Sequence, residues 1–229
     1  MKRFLPLLSL ALILSLSLSA CNNSAPETNP DTPSPVSSET SDTKDMSNLK
    51  RYGVKSGMVK FTLTGVQSGT KTLYWDDWGM KETEIKDLKT EYAGVSIEQK
   101  EVTVLDGDII YSYDPEKKTG TKIRNTLLAT LAENNKNDDL GEIGLEMLKA
   151  TGAEKTGNKE VAGKTCDIYE TKALGTTSCV WEAVTLEVIT TFAGMETEVT
   201  ATEVDTDSPV DASLFELPED IEWQDMGSV

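Results

Sequence analysis

The stretch TLYWDDWGMKE, residues 72–82, sets two adjacent carboxylates, Asp76 and Asp77, between Trp75 and Trp78. Paired carboxylates act as acid and base on glycosidic bonds when they stand ~5–9 Å apart on separate chain segments. Neighbouring residues of a strand point to opposite faces, so Asp76 and Asp77 do not make such a pair by themselves. The two indoles can stack on a sugar, but a strand that must bury apolar area uses the same rings. Packing is the favoured reading, with Gly79 permitting a bend or bulge and Asp77 supporting it through local hydrogen bonds.

Other chemistry is narrowed by composition. The chain has no histidine, which removes Ser-His-Asp and Cys-His nucleophile systems and the usual zinc sites. It shows no glycine-rich phosphate loop and no dinucleotide fingerprint. In NKNDDLGEIGLE, the residues Asn135, Asn137, Asp139 and Glu146 fall at positions 1, 3, 5 and 12 of a calcium-loop spacing. Leu140 stands where that loop requires glycine, so a capped helix start is favoured over a cation site. No catalytic residue, metal or cofactor is assigned, and the chain is read as a non-enzyme.

The N-terminus carries a clearer message. Lys2 and Arg3 precede the apolar run FLPLLSLALILSLSL, followed by Ser19, Ala20 and Cys21. Positive charge, a short apolar segment and small residues before a cleavage point make residues 1–20 a secretory signal peptide. Leu18-Ser19-Ala20-Cys21 resembles the lipobox of bacterial lipoproteins, which implies that Cys21 is the lipid-modified first residue of the mature chain. Several acyl chains, at ~0.8 kcal/mol per buried methylene, anchor more firmly than one. Asn22 rather than Asp follows Cys21, which by resemblance to sorting in two-membrane bacteria favours the outer membrane, facing the periplasm.

The formal net charge of −17 repels phosphate backbones, so nucleic acid is not an expected partner. Residues 21–48 are mostly Asn, Ser, Thr, Pro, Asp and Glu, a tether that has no face to bury. The folded domain is placed at 49–225. Alternation begins with Val59, Phe61 and Leu63 against Lys60, Thr62 and Thr64, the period of a half-buried strand. Further strands are read at 71–76, 95–105, 108–114, 119–124, 159–170, 178–192 and 195–204. Two helical runs are expected within 126–150, split by 134–139, with Asp138 or Asp139 as cap and Gly152 as stop. Leu140, Ile143, Met147 and Leu148 give the second run an apolar stripe meant for the sheet. LFELPEDIEW, residues 214–223, reads as a closing segment pinned to the domain edge.

With Cys21 lipidated, Cys166 and Cys179 remain as an expected disulfide in an exported protein. If the two face each other, the hairpin centre falls between Lys172 and Ala173, inside the turn-like TKALG. Buried free thiols are the alternative.

The segments LYWDDWGMKE, IIYSYDPEKKTGTK, EVAGKTCDIYE, CVWEAVTLEV and LFELPEDIEW resemble the LolA/LolB/LppX-like superfamily of envelope lipoprotein carriers. That resemblance implies an α+β fold: a strongly curved antiparallel sheet, an incomplete barrel, whose concave face is covered by helices around an apolar cavity. The function it implies is binding or transfer of a lipid or other apolar ligand by a membrane-anchored protein. Phe61, Leu63, Trp75, Trp181, Leu145 and Leu148 are the candidate lining residues. The alternative is an envelope structural or protein-interaction module with a filled core and a protein partner.

Overall fold

The computed structural model describes residues 49–92, 94–134 and 139–228. The expected signal peptide, Cys21, the tether, and Asn135 and Asn137 of the calcium-like spacing lie outside the described residues. The strands are β1 (Gly57–Gly65), β2 (Gln67–Asp76), β3 (Lys81–Tyr92), β4 (Val95–Asp106), β5 (Ile109–Asp114) and β6 (Thr119–Arg124). Helices α1 (Thr126–Asn134) and α2 (Leu140–Ala150) follow. The chain then returns through β7 (Glu154–Val161), β8 (Lys164–Thr171), β9 (Thr176–Trp181), β10 (Val184–Phe192), β11 (Met195–Asp205) and β12 (Glu222–Ser228).

All twelve strands form one sheet in the order β12-β6-β5-β4-β3-β2-β1-β11-β10-β9-β8-β7. Its edges, β12 and β7, do not meet, so the sheet is not closed into a barrel. Every neighbouring pair is antiparallel except β6 and β12, which run parallel. The expectation of a wholly antiparallel sheet is corrected at that edge. Hairpins build the rest apart from the β1–β11 pair, which joins the two runs of strands at long range, whereas β12 arrives after the long segment 206–221, and a long connection leaves strand direction free.

Two strands read from the sequence are hairpins. Residues 159–170 turn at Ala162-Gly163, with φ of 48° and 76°, and 178–192 turn at Glu182-Ala183, with φ of 48° and 62°. Two successive left-handed residues match the twist of the flanking strands. Ala162-Gly163 carries a visible turn signal; Glu182-Ala183 carries none, because neither residue favours positive φ. β3 has no counterpart among the expected strands, since KETEIKDLKTEY has charges on both faces and little apolar periodicity.

The sheet is curved. Lys159 of β7 forms an ion pair with the buried Glu187 of β10, although β8 and β9 lie between them. Three flat strand spacings of ~4.8 Å would hold those charges apart, so the strands must coil, and β7 also comes into contact with β11. The Cys166–Cys179 disulfide lies within this coiled region, with Cα atoms 5.4 Å apart. The two cysteines do not face each other: Cys179 pairs with Ile168, so the bridge joins diagonal neighbours and the hairpin centre moves one residue later.

The main core contains Val59, Phe61, Leu63, Leu73, Trp75 and Leu186, with both cysteines. A second cluster joins Leu128 of α1 and Leu140 of α2 to Leu49, Met80 and Leu105, with Ile110, Leu131 and Ile143 against it. Each fully buried leucine of this kind contributes ~1.5–3 kcal/mol, which is how short helices hold to a sheet that their own propensity would not secure.

Candidate functional site

Register fixes the floor of the site. Gly57, Trp75, Glu82, Leu105 and Ile110 are successive partners across β1 to β5, and partners share a face. The segment preceding β1 adds no strand to the sheet; instead residues 50–55 cross the end of this row. Arg51 and Tyr52 donate their backbone N–H groups to the Trp78 carbonyl at 2.8 and 3.0 Å, and Trp78 N–H reaches the Lys55 carbonyl at 2.8 Å. The Lys50 ammonium lies 3.9 Å from the Trp78 ring centroid.

The WDDWG turn is therefore a clamp for this segment. Asp77, Trp78 and Gly79 all have positive φ, at 49°, 57° and 83°. Asp76 rather than Asp77 supports the turn, accepting from the Asp77 N–H at 2.7 Å. Trp75 is completely buried; its indole N–H donates to the Val54 carbonyl at 3.0 Å, and Tyr52 stands edge-on to it at 5.5 Å. Tyr52 donates to Glu82, and Arg51 donates to the same carboxylate at 3.2 Å and to the Gly79 carbonyl at 2.6 Å. Burial first, and then the Glu82 charge, push the Tyr52 phenol well above its ordinary range, so it stays a donor.

The helices stand on this floor. Asn125 caps α1, its side chain accepting from the Leu128 N–H at 2.9 Å. Asp139 caps α2 through the N–H groups of Gly141 and Glu142 at 2.9 and 3.3 Å, and Leu140 N–H donates to the Lys50 carbonyl at 2.7 Å. Gly141 lets α2 approach the β9–β10 turn: a Cβ on it would lie 2.7 Å from the Ala183 Cβ and 2.8 Å from the Arg51 carbonyl. Between the helix pair and that turn lies a cavity of about 670 Å³. Leu127, Leu131, Leu145, Met147, Leu148 and Val180 supply much of its apolar wall, and Arg51, Asn125, Glu142 and Glu182 supply polar groups. Leu127 and Met147 remain 53% and 47% exposed, so apolar area is left uncovered there.

The six lining residues expected from the sequence fall in two places. Leu145 and Leu148 line the cavity. Phe61, Leu63 and Trp75 are buried in the main core, and Trp181 packs against it. Sequence reasoning missed Leu127, Leu131, Val180 and the polar Arg51; the leucines of α1 carried a helical signal, but Val180 and Arg51 reach the site only through tertiary packing.

The same sheet face carries two further features. Lys71, Glu84, Lys86 and Glu101 form a ladder of ion pairs at 2.9, 2.6 and 3.0 Å. Towards the opposite strand ends, Val66, Val188, Phe192, Met195 and Val199 border a second hollow of about 440 Å³, with Phe192 74% exposed. Among the described residues, no group of three or more His, Cys, Asp or Glu side chains is placed to hold a metal ion. What the main cavity offers chemically is desolvation of an apolar chain beside a few fixed polar groups.

No protein-family model and no curated protein matches the chain. Solved structures with a similar course include an uncharacterized conserved protein from Thermus thermophilus, at TM-score 0.46 and 8% identity, covering 73% of this chain and 90% of that one. MucB matches at TM-score 0.39 and 12% identity over 81% of this chain and 65% of its own. LprF from Mycobacterium bovis matches at TM-score 0.31 and 9% identity over 73% of this chain and 90% of its own. At these scores none of the three fixes a family or a function.

Proposed function

We propose that this protein is an envelope lipoprotein whose domain binds or transfers a lipid or another apolar ligand. The observation that carries the reading is the cavity of about 670 Å³ between the helix pair and the sheet, within the ~300–1,000 Å³ range of small-molecule sites. Its apolar wall can desolvate an acyl chain at ~0.8 kcal/mol per methylene. In this account the fold is of the LolA/LolB/LppX-like kind, with α1 and α2 covering the concave face of the sheet. Signal cleavage exposes Cys21, which is lipidated and sorted to the outer membrane on its periplasmic side. Residues 21–48 then act as a tether that holds the domain away from the bilayer surface.

The exposed Phe192 and Met195 at the β10–β11 hairpin favour the second reading, an interaction module whose partner is another envelope protein. Binding of an environment-sensitive fatty-acid probe separates the two. A saturable site is expected in the native protein, weakened at least tenfold by Gly144→Phe, because Gly144 borders the cavity and a Cβ there meets nothing within 4 Å. No saturable binding in a folded native chain would leave only the interaction module.

A further inference from the structure

Strand β12 is fastened to β6 by few side chains. Trp223 is its only residue that is not exposed. The indole lies against Gly120, where a Cβ would come within 2.7 Å of the ring. Tyr111 and Tyr113 flank it edge-on, with centroids at 5.3 and 5.8 Å. On either side, Asp220 pairs with Lys118 at 3.2 Å and Asp225 with Lys122 at 3.1 Å. Ion pairs this exposed contribute little individually, so among the side chains the notch for Trp223 is the chief attachment beside the backbone ladder.

The far end of the strand is looser. Its register slips between Asp225 and Ser228, Gly227 takes a φ of 77°, and the Gly227 N–H bonds to the Asp225 side chain at 2.8 Å instead of to β6. Upstream, the connecting segment is secured separately, by the buried Ile221 and by the Thr83 hydroxyl donating to the Leu214 carbonyl at 2.9 Å. These attachments are independent of the β12–β6 pairing, so lifting β12 would not by itself release the connecting segment. Lifting it leaves the outer N–H and C=O groups of β6 unpaired, a template for another strand.

We propose that the β6 edge is an acceptor for an extended acidic peptide segment of a partner protein, and that β12 is its built-in occupant. The segment runs parallel to β6, places an aromatic ring over Gly120 between Tyr111 and Tyr113, and sets carboxylates on Lys118 and Lys122. The chain's own Asp220-x-x-Trp223-x-Asp225 spacing defines the ligand pattern. A tethered occupant competes at an effective concentration of roughly millimolar, so the site stays closed until a partner segment out-competes it. This inference does not depend on the apolar cavity.

A synthetic peptide with the sequence of residues 218–228, fluorescently labelled, tests it against the full chain. The peptide is expected to bind Trp223→Ala at least tenfold more tightly than the native chain, because the internal competitor has lost its anchor. Replacing the tryptophan of the peptide by alanine, or raising the salt concentration, should weaken that binding. Equal affinity for native and variant chains would overturn the proposal. Native-state hydrogen exchange keeps it falsifiable should the variant not fold: amides of residues 223–228 should exchange by local opening well before those of β5. Exchange of both strands only together, through global unfolding, would contradict a detachable β12.

Discussion

Gly141 of α2 lies against Ala183 of the β9–β10 turn so closely that a methyl group on the glycine would stand 2.7 Å from the alanine side chain. That contact sets how near the helix comes to the sheet and hence the height of the cavity. Gly144, one turn further on, borders the same cavity with nothing within 4 Å of a Cβ. The two glycines occupy one helix for different reasons, and alanine separates them.

Gly141→Ala should destabilise the domain by ~1–3 kcal/mol, as overpacking does. Gly144→Ala should instead stabilise it by ~0.5–1 kcal/mol, because glycine is the poorer helix former in open space. Urea denaturation of both variants reads the difference, and a shared sign would contradict the packing described.

Tyr52→Phe removes the phenol donor from Glu82 and leaves that carboxylate, among the described residues, to Arg51. A loss of ~1–3 kcal/mol is expected for a partly buried charged acceptor deprived of a partner. The ring contact with Trp75 survives in this variant, so stability equal to the native value would show that the hydrogen bond contributes nothing net.

Reduction of the Cys166–Cys179 bridge, or replacement of both residues by serine, should cost ~3 kcal/mol on the chain-entropy account of a loop this short. Both cysteines are buried, so the serine variant also places hydroxyls in the core and should lose more than the reduced native chain. Thermal unfolding with and without reductant measures both.

The ladder on the sheet face makes a pH prediction. Burial raises the Glu84 carboxyl, but Lys71 and Lys86 outweigh it and hold the group below its ordinary value. The unfolded chain then binds the proton more readily, so the stabilisation is complete above the ordinary carboxylate pKa of ~4.3 and is lost as pH falls through the lowered folded value. Glu84→Gln should flatten the acid limb of the stability curve measured between neutral and acid pH. An unchanged acid limb would mean that Glu84 titrates alike in both states.

Periodicity made much of the sheet legible: β1, β5, β6 and β11 follow from alternation, and capping chemistry narrowed the start of α2 to Asp138 or Asp139, of which Asp139 is the cap. The turns that mislead are those whose residues do not advertise them, such as Glu182-Ala183, where twist and neighbouring strands impose positive φ. β3 escaped because its inward face is occupied by Glu82, Glu84 and Lys86, which satisfy one another and their neighbours instead of forming an apolar stripe. The site was half visible for a related reason. Leu145 and Leu148 sit on a helix whose pattern is local, whereas Arg51 belongs to the site only because the segment before β1 crosses the sheet end, and Val180 only because the β9–β10 hairpin comes to lie against the helix pair. Trp75, beside the two aspartates in sequence, belongs to the core, and Asp76 holds the turn that clamps Arg51 and Tyr52.

The proposed function stands on occupancy of the cavity beneath α1 and α2 by an apolar ligand. Its most direct test is solvent extraction and mass spectrometry of the full-length protein purified from its own envelope, alongside Gly144→Phe prepared identically. A stoichiometric apolar molecule is expected from the native protein, markedly depleted in the variant. Native protein that yields no such molecule, or the same amount from both preparations, would contradict it.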